Sequence, residues 1–202
     1  PTLSEGLSGG VAARRFTLVA NDNTAQALEH HHDHDDHHHD HAVCFPDIAE
    51  LIASASLHPG TADQAIAILR RLAEAESRMH HVPIEEVHFH EIADWDSLMD
   101  VVAAGSIAAA LTHCTWSISD LPRGEGLVRT RHGLLPIPAP ATVEILRDCR
   151  WRDDGSGGER VTPTGAAILA HLVHEVHGRS GGQLVAAGTG AGTRELPGMP
   201  NI

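Results

Sequence analysis

Apolar and polar positions follow two periods along this chain. They alternate over a few short stretches and recur every three or four residues in longer ones, which predicts strands interspersed with helices. Arg15-Phe16-Thr17-Leu18-Val19 reads as an early or edge strand. Asp47 caps a short helix through Ala53, which Pro59 and Gly60 break. Thr61 then caps a longer amphipathic helix through Met79, whose stripe is Ile66, Leu69, Leu72 and Ala73. Residues 114–118 and 127–130 predict strands around a Pro/Gly loop at 120–126. Residues 132–142 form a proline-stiffened approach to a helix reaching about Arg147. Thr162 as cap, with Pro163 at the first helical position, predicts a helix to about Val176. Residues 184–187 predict a last strand entering a glycine-rich turn at 188–194. With no internal repeat, the order of elements implies an α/β or α+β mixed layer fold, helix-rich.

Residues 87–100 concentrate the most chemistry. In Val87-His88-Phe89-His90 a strand sends His88 and His90 from the same face, one pleat apart. A helix follows, with Asp94 at its cap and Asp96 and Asp100 at i, i+4 spacing. With Glu91 at the junction, two imidazoles and up to four carboxylates share one strand-to-helix corner. A mixed nitrogen and oxygen set suits a divalent transition metal better than calcium. The plainer alternative is that Asp94 and Asp96 only complement the helix dipole and that both histidines are structural. Asp100 is harder to dismiss, because beyond the first turn of a mostly apolar helix a buried carboxylate requires a partner.

Composition adds a second signal. Eighteen histidines stand against fourteen Lys plus Arg. Eight of them, His30, His31, His32, His34, His37, His38, His39 and His41, interleave with Asp in one block. No apolar residue within it can enter a core, so a disordered His/Asp-rich loop is expected, and the domain expectation is a partly disordered segment at 1–42 with a core domain at 43–202. Such a block holds nickel, zinc, cobalt or copper loosely. A purification tag would be terminal and homopolymeric, and an idle solvated linker is the other plain reading. The net charge of -13 argues against nucleic-acid and anionic-membrane partners. Cys44, Cys114 and Cys149 are far apart and odd in number, which suggests a reducing cytoplasm rather than a disulfide framework. The longest apolar run, residues 101–111, is interrupted by Gly105 and Ser106 and falls short of the roughly twenty residues a membrane span needs. The start has neither a basic end nor an apolar run, so no signal peptide is expected there, and the missing initiator Met suggests a processed or incomplete chain.

Weaker candidates remain. The helix start at Thr162, Thr164 and Gly165 and the turn containing Gly190, Gly192, Thr193 and Arg194 could each present backbone N–H groups to a phosphate, or be only a capped helix and a tight turn. The turn matches neither a dinucleotide fingerprint nor a Walker loop. His132 could orient a ligand or be a lone loop histidine. His171, His174 and His177 could form a second metal face or merely suit a helix C-terminus.

Four passages in order carry a resemblance: Val87-His88-Phe89-His90-Glu91 followed by Asp96 and Asp100; residues 132–142, His-Gly-Leu-Leu-Pro-Ile-Pro-Ala-Pro-Ala-Thr; Thr162-Pro163-Thr164-Gly165-Ala166-Ala167; and Gly190-Ala191-Gly192-Thr193-Arg194 with Pro200-Asn201. With a histidine-rich insertion upstream, they resemble the LarC-type nickel insertion proteins of nickel-pincer cofactor biosynthesis, from about residue 43 to the end. The resemblance implies a nickel chelatase or insertase of the lyase class that places Ni²⁺ into a pyridinium bis-thiocarboxylic acid mononucleotide. It implies CTP with a divalent cation, and downstream users of the product such as lactate racemase. The histidine block would gather nickel; His88, His90, Glu91, Asp96 and Asp100 would hold it more tightly. Asp100 or His90 would take the ring proton. His132, Thr162, Thr164, Gly165, Gly190, Gly192, Thr193 and Arg194 would meet the mononucleotide or CTP. Members usually begin with a strand and a Gly-Ser-Gly-Asp-containing loop and continue into a C-terminal domain, so a fragment, a split subunit needing a complementary domain, or a truncated homologue is expected. Two rival functions are a non-catalytic nickel store or metallochaperone and a metal-dependent hydrolase; the second meets the objection that a (β/α)₈ barrel needs about 250 residues.

Overall fold

A computed structural model describes residues 1–17, 44–89, 95–176, 182–192 and 199–201, the side chains of 174–176 excepted. The chain forms two compact units, Pro1–Asp40 with Ser180–Ile202, and His41–Arg179.

In the first unit β1 (Thr2–Ser8) and β2 (Val11–Thr17) pair antiparallel, with Ser8 opposite Val11 across a tight turn at Gly9 and Gly10. Both glycines have positive φ, at 54° and 83°, which the turn demands. Of the strand expected at 15–19, residues 15–17 lie in β2, which begins at Val11, and residues 18 and 19 lie outside the described residues. Among the described residues the outer edge of β2 is met by one bridge: Arg14 N–H donates to Thr189 O at 3.0 Å and Arg14 O accepts from Ala191 N–H at 2.9 Å. Residues 184–187, expected as a strand, have no regular structure. Their Leu184 and Val185 are 84% and 89% exposed, so no burial favours an extended ladder there.

The second unit is built on helices. These are α1 (Phe45–Ser54), α2 (Thr61–His80), α3 (Trp95–Ala110), α4 (Pro140–Ile145) and α5 (Pro163–Leu172), with a short 3₁₀ turn at Ile84–Glu86. Ala65, Ile68, Leu69, Leu72 and Ala73 of α2 are buried at i, i+3, i+4, i+7 and i+8, and Ile66 lies at the margin of that stripe. Against it pack Phe45, Ile48 and Ile52 of α1, Val101 and Ala104 of α3, and Ala167 of α5. Gly105 sets the closest approach. A Cβ there would stand 2.7 Å from Ala65 N and 2.9 Å from Ala65 Cβ.

Helix starts differ from expectation in two places. Asp47 is the third residue of α1, and Cys44 is its N-cap. At α2 the N-cap is Gly60, at φ 80°, while Thr61 is inside the helix, 1% exposed. Among the described residues its hydroxyl has no partner. Helix α5 begins as its cap and proline predict, but ends at Leu172. The chain continues directly as β8 (Val173–Val176), parallel to β3 (Trp116–Ile118). Run-on periodicity hid that switch, because a buried helix end and a short apolar strand share one composition. Two more pairs complete the unit: β4 (Leu121–Pro122) with β7 (Trp151–Arg152), parallel, and the antiparallel hairpin of β5 (Leu127–Thr130) and β6 (Gly133–Pro136). The proline-stiffened segment therefore contains a strand before its cis Ile137–Pro138 bond. A smaller cluster of Leu121, Leu146, Val161 and Ala166 fills the space beneath β4 and α5. Mixed helices and small sheets agree with the predicted class; the histidine block lies outside the described residues.

Candidate functional site

Four elements converge on one half-open cleft in the second unit. Helix α2 contributes Leu72, Glu76 and Met79, at i, i+4 and i+7 along one face. The extended residue Phe89 lies beside Leu72, both 3% exposed. The β5–β6 hairpin brings His132 and Leu135; the start of α4 brings Ala139, Pro140 and Ala141; the start of α5 brings Pro163 and Thr164. The enclosed volume is about 40 Å³.

Local chemistry fixes each polar group. His132 sits in the hairpin turn, where its N–H donates to Thr130 Oγ1 at 3.1 Å and the Thr130 hydroxyl donates to Gly133 O at 3.2 Å. Its ring lies 5.0 Å from that of His80, centroid to centroid, at 36°. His80 Nε2 is in turn 3.2 Å from Glu76 Oε2, one helical turn back. Arg78 Nε donates to Glu144 Oε1 at 2.7 Å, and Arg147 holds the other carboxylate oxygen, so α4 is tied to α2. Those guanidiniums, Arg147 first, hold the Glu144 carboxyl below its ordinary range. The buried Thr142 hydroxyl donates to Val161 O at 3.4 Å, which ties α4 to the residues entering α5. Thr162 Oγ1 accepts from Gly165 N–H at 3.2 Å, so at the α5 start Thr162 and Gly165 satisfy each other and Thr164 faces the cleft.

The strand-to-helix corner is partly visible. Val87 and Phe89 are 2% and 3% exposed and His88 is exposed, as the alternation predicts. Phe45 N–H donates to Val87 O at 3.1 Å, and Cys44 bridges His88 antiparallel. Asp47 Oδ2 accepts from the Cys44 thiol at 2.9 Å and from Cys44 N–H at 3.3 Å. The thiol bond, more than any other contact, lowers the Asp47 pKa and raises that of Cys44. Asp96 and Asp100 are both exposed on α3, so the burial argument that singled out Asp100 lapses. Among the described residues no three His, Cys, Asp or Glu side chains group to hold a metal, and His88, Asp96 and Asp100 are not such a set. His90, Glu91 and Asp94 lie outside the described residues, as do the eight block histidines from His30 to His41.

Of the residues expected at a substrate, His132 and Thr164 line this cleft, while Thr162 and Gly165 cap the helix that carries Thr164. Gly190 and Gly192 belong to the other unit, where Gly190 bridges Arg14 and Gly192 O accepts from Arg15 Nε at 3.5 Å. Thr193 and Arg194 lie outside the described residues. His171 Nε2 is 2.7 Å from Gln64 Oε1, an α5-to-α2 contact; the His174 side chain and His177, the other members of the expected face, lie outside the described residues. The sequence reading missed Glu76 and His80. Their i, i+4 spacing was visible, but only folding reveals that this turn of α2 faces His132, some fifty positions away.

Comparison with known proteins agrees with the passages that meet here. A family model for nickel insertion protein matches residues 2–202. A relative from Geotalea uraniireducens, provisionally named a nickel insertion protein, is 40% identical over 193 residues, 96% of this chain and 45% of its own length. One from Pelobacter propionicus with the same provisional name is 47% identical over 152 residues, 75% of this chain and 39% of its own. A third, from Geobacillus kaustophilus, is named pyridinium-3,5-bisthiocarboxylic acid mononucleotide nickel insertion protein. It is 36% identical over 196 residues, 96% of this chain and 46% of its own. The chain therefore spans less than half the length of these curated relatives. No solved structure matches. Matched along nearly its whole length, the chain belongs to the nickel insertion protein family.

Proposed function

We propose that this protein takes part in inserting nickel into pyridinium-3,5-bisthiocarboxylic acid mononucleotide, binding that mononucleotide at the cleft of His132 and Thr164. The observation that carries the reading is the meeting, in one cleft, of two sequence passages some thirty residues apart that were singled out independently. The histidine block from His30 to His41 gathers Ni²⁺, and His88, His90, Glu91, Asp96 and Asp100 pass it on. In the insertion step the ring C–H bond breaks, its electron pair forms the carbon–nickel bond, and His90 or Asp100 accepts the proton. On this reading the protein acts as a lyase in the cytoplasm, upstream of nickel-pincer enzymes such as lactate racemase.

CTP does not fit this cleft. Among the described residues the lining carries no Lys or Arg, Glu76 opposes a triphosphate, and the α5 start has already spent Gly165 N–H on Thr162. The nucleotide requirement belongs to a complementary domain or subunit. The test is to mix purified protein, nickel and the mononucleotide, with and without CTP and with and without the C-terminal half of a relative, and to seek the metallated product by mass spectrometry. Product that depends on this chain is expected. Product formed equally without it would overturn the reading.

The histidine block also favours a second reading, a nickel store. Equilibrium dialysis on a variant lacking residues 29–41 separates the two. A store loses nearly all its nickel, whereas an insertase keeps a site that His88→Ala abolishes.

A further inference from the structure

Taking that mononucleotide as the ligand, the cleft also distinguishes its two ends. One end is a flat pyridinium ring with a fixed positive charge and two anionic thiocarboxyl groups. The other is a phosphate of about −1.5 to −2 charge at neutral pH. The inner cleft is aliphatic and aromatic, with Leu72, Phe89, Leu135 and Pro140 in its walls. Among the described residues its one carboxylate is Glu76, and no Lys or Arg lines it. A phosphate there would lose its hydration and gain a like charge. The ring end differs: its fixed positive charge gains a carboxylate and the neighbourhood of the Phe89 π system, its flat faces gain apolar contact, and its thiocarboxyl groups turn away from Glu76 toward His132, Thr164 and the open side.

The geometry points to this cleft as the seat of the pyridinium ring, with Glu76 beside the ring charge and His132 and Thr164 meeting an anionic substituent. Size sets how far the ring enters. An enclosed volume of about 40 Å³ is roughly a quarter of the ~150 Å³ cavity that holds a whole benzene, so the cleft takes one edge. The other edge stays open, as it must for a metal to reach a ring carbon. Glu76 is here a positioning residue, itself braced by His80 at 3.2 Å. It fixes which way the ring lies and takes no part in bond making.

The test uses the whole chain without nickel and three probes: N-methylpyridinium-3,5-dicarboxylate, pyridine-3,5-dicarboxylate without the ring charge, and ribose 5-phosphate. Binding is followed by calorimetry, and location by chemical-shift changes at His132 and Thr164. The cationic ring should bind at those two residues. Glu76→Gln should weaken it about five- to tenfold without weakening the uncharged ring, a discrimination that a merely structural residue would not produce. His132→Ala should weaken both ring compounds. Should E76Q unfold, Glu76→Asp keeps the charge but draws it back, and the same selective loss is expected. Equal loss for both rings, no ring binding at millimolar concentration, or displacement by ribose 5-phosphate would overturn the assignment. No product is formed in this assay, so its failure and that of nickel insertion are read separately.

Discussion

Thr61 shows how one side chain's role changes between sequence and fold. Read as a cap, it should accept a backbone N–H at the start of α2; the structure gives that end to Gly60 and buries the Thr61 hydroxyl without a partner among the described residues. Thr61→Val keeps the shape and removes the orphan group, so it should stabilise the fold by about 1 kcal/mol in urea unfolding. Glu144 makes the opposite kind of prediction. Its folded pKa is lowered, so its contribution is present above the ordinary carboxylate value and is lost as pH falls through the lowered one. Thermal melts from about pH 5 downward should therefore fall less steeply for Glu144→Gln than for the parent. At this scale the sequence carried residue chemistry well and context poorly. His132 and Thr164 were recognisable as candidates and both line the cleft, whereas the exposure of Asp100 depends on a helix face that nothing local determines.

Among the elements, helices with long apolar stripes and the strands β3 and β5 were legible from the sequence, and the two-residue strands were not. The α2 stripe around Leu69 and Leu72 is strong enough to set its own burial, because 3.6-residue periodicity over twenty residues leaves few alternatives. Two-residue strands such as β4 and β7 exist only because the chain brings Leu121 beside Trp151, a long-range event. Gly105 is a further case: a glycine that interrupts an apolar run is, in the fold, the contact point of α3 with α2. Gly105→Ala should gain about 1 kcal/mol in helix propensity yet lose more to overpacking against Ala65. A net destabilisation of about 1–2 kcal/mol in denaturant titration is expected, and a neutral result would show that the helices can separate slightly.

For the molecule as a whole, the sequence announced its chemistry through residues that meet only in part among those described. Two of its four signature passages share the cleft, and the Val87-His88-Phe89 passage contributes Phe89 to the same wall. That contribution has a consequence for how the protein can change. Phe89 and Leu72 belong at once to the central core and to the lining of the cleft. A substitution that widens the opening to admit a bulkier guest also hollows the interior, at about 3–5 kcal/mol for Phe→Ala. Selectivity and thermal robustness are thus coupled through the same two side chains, and a lineage that diversifies its guest must first accumulate spare stability elsewhere.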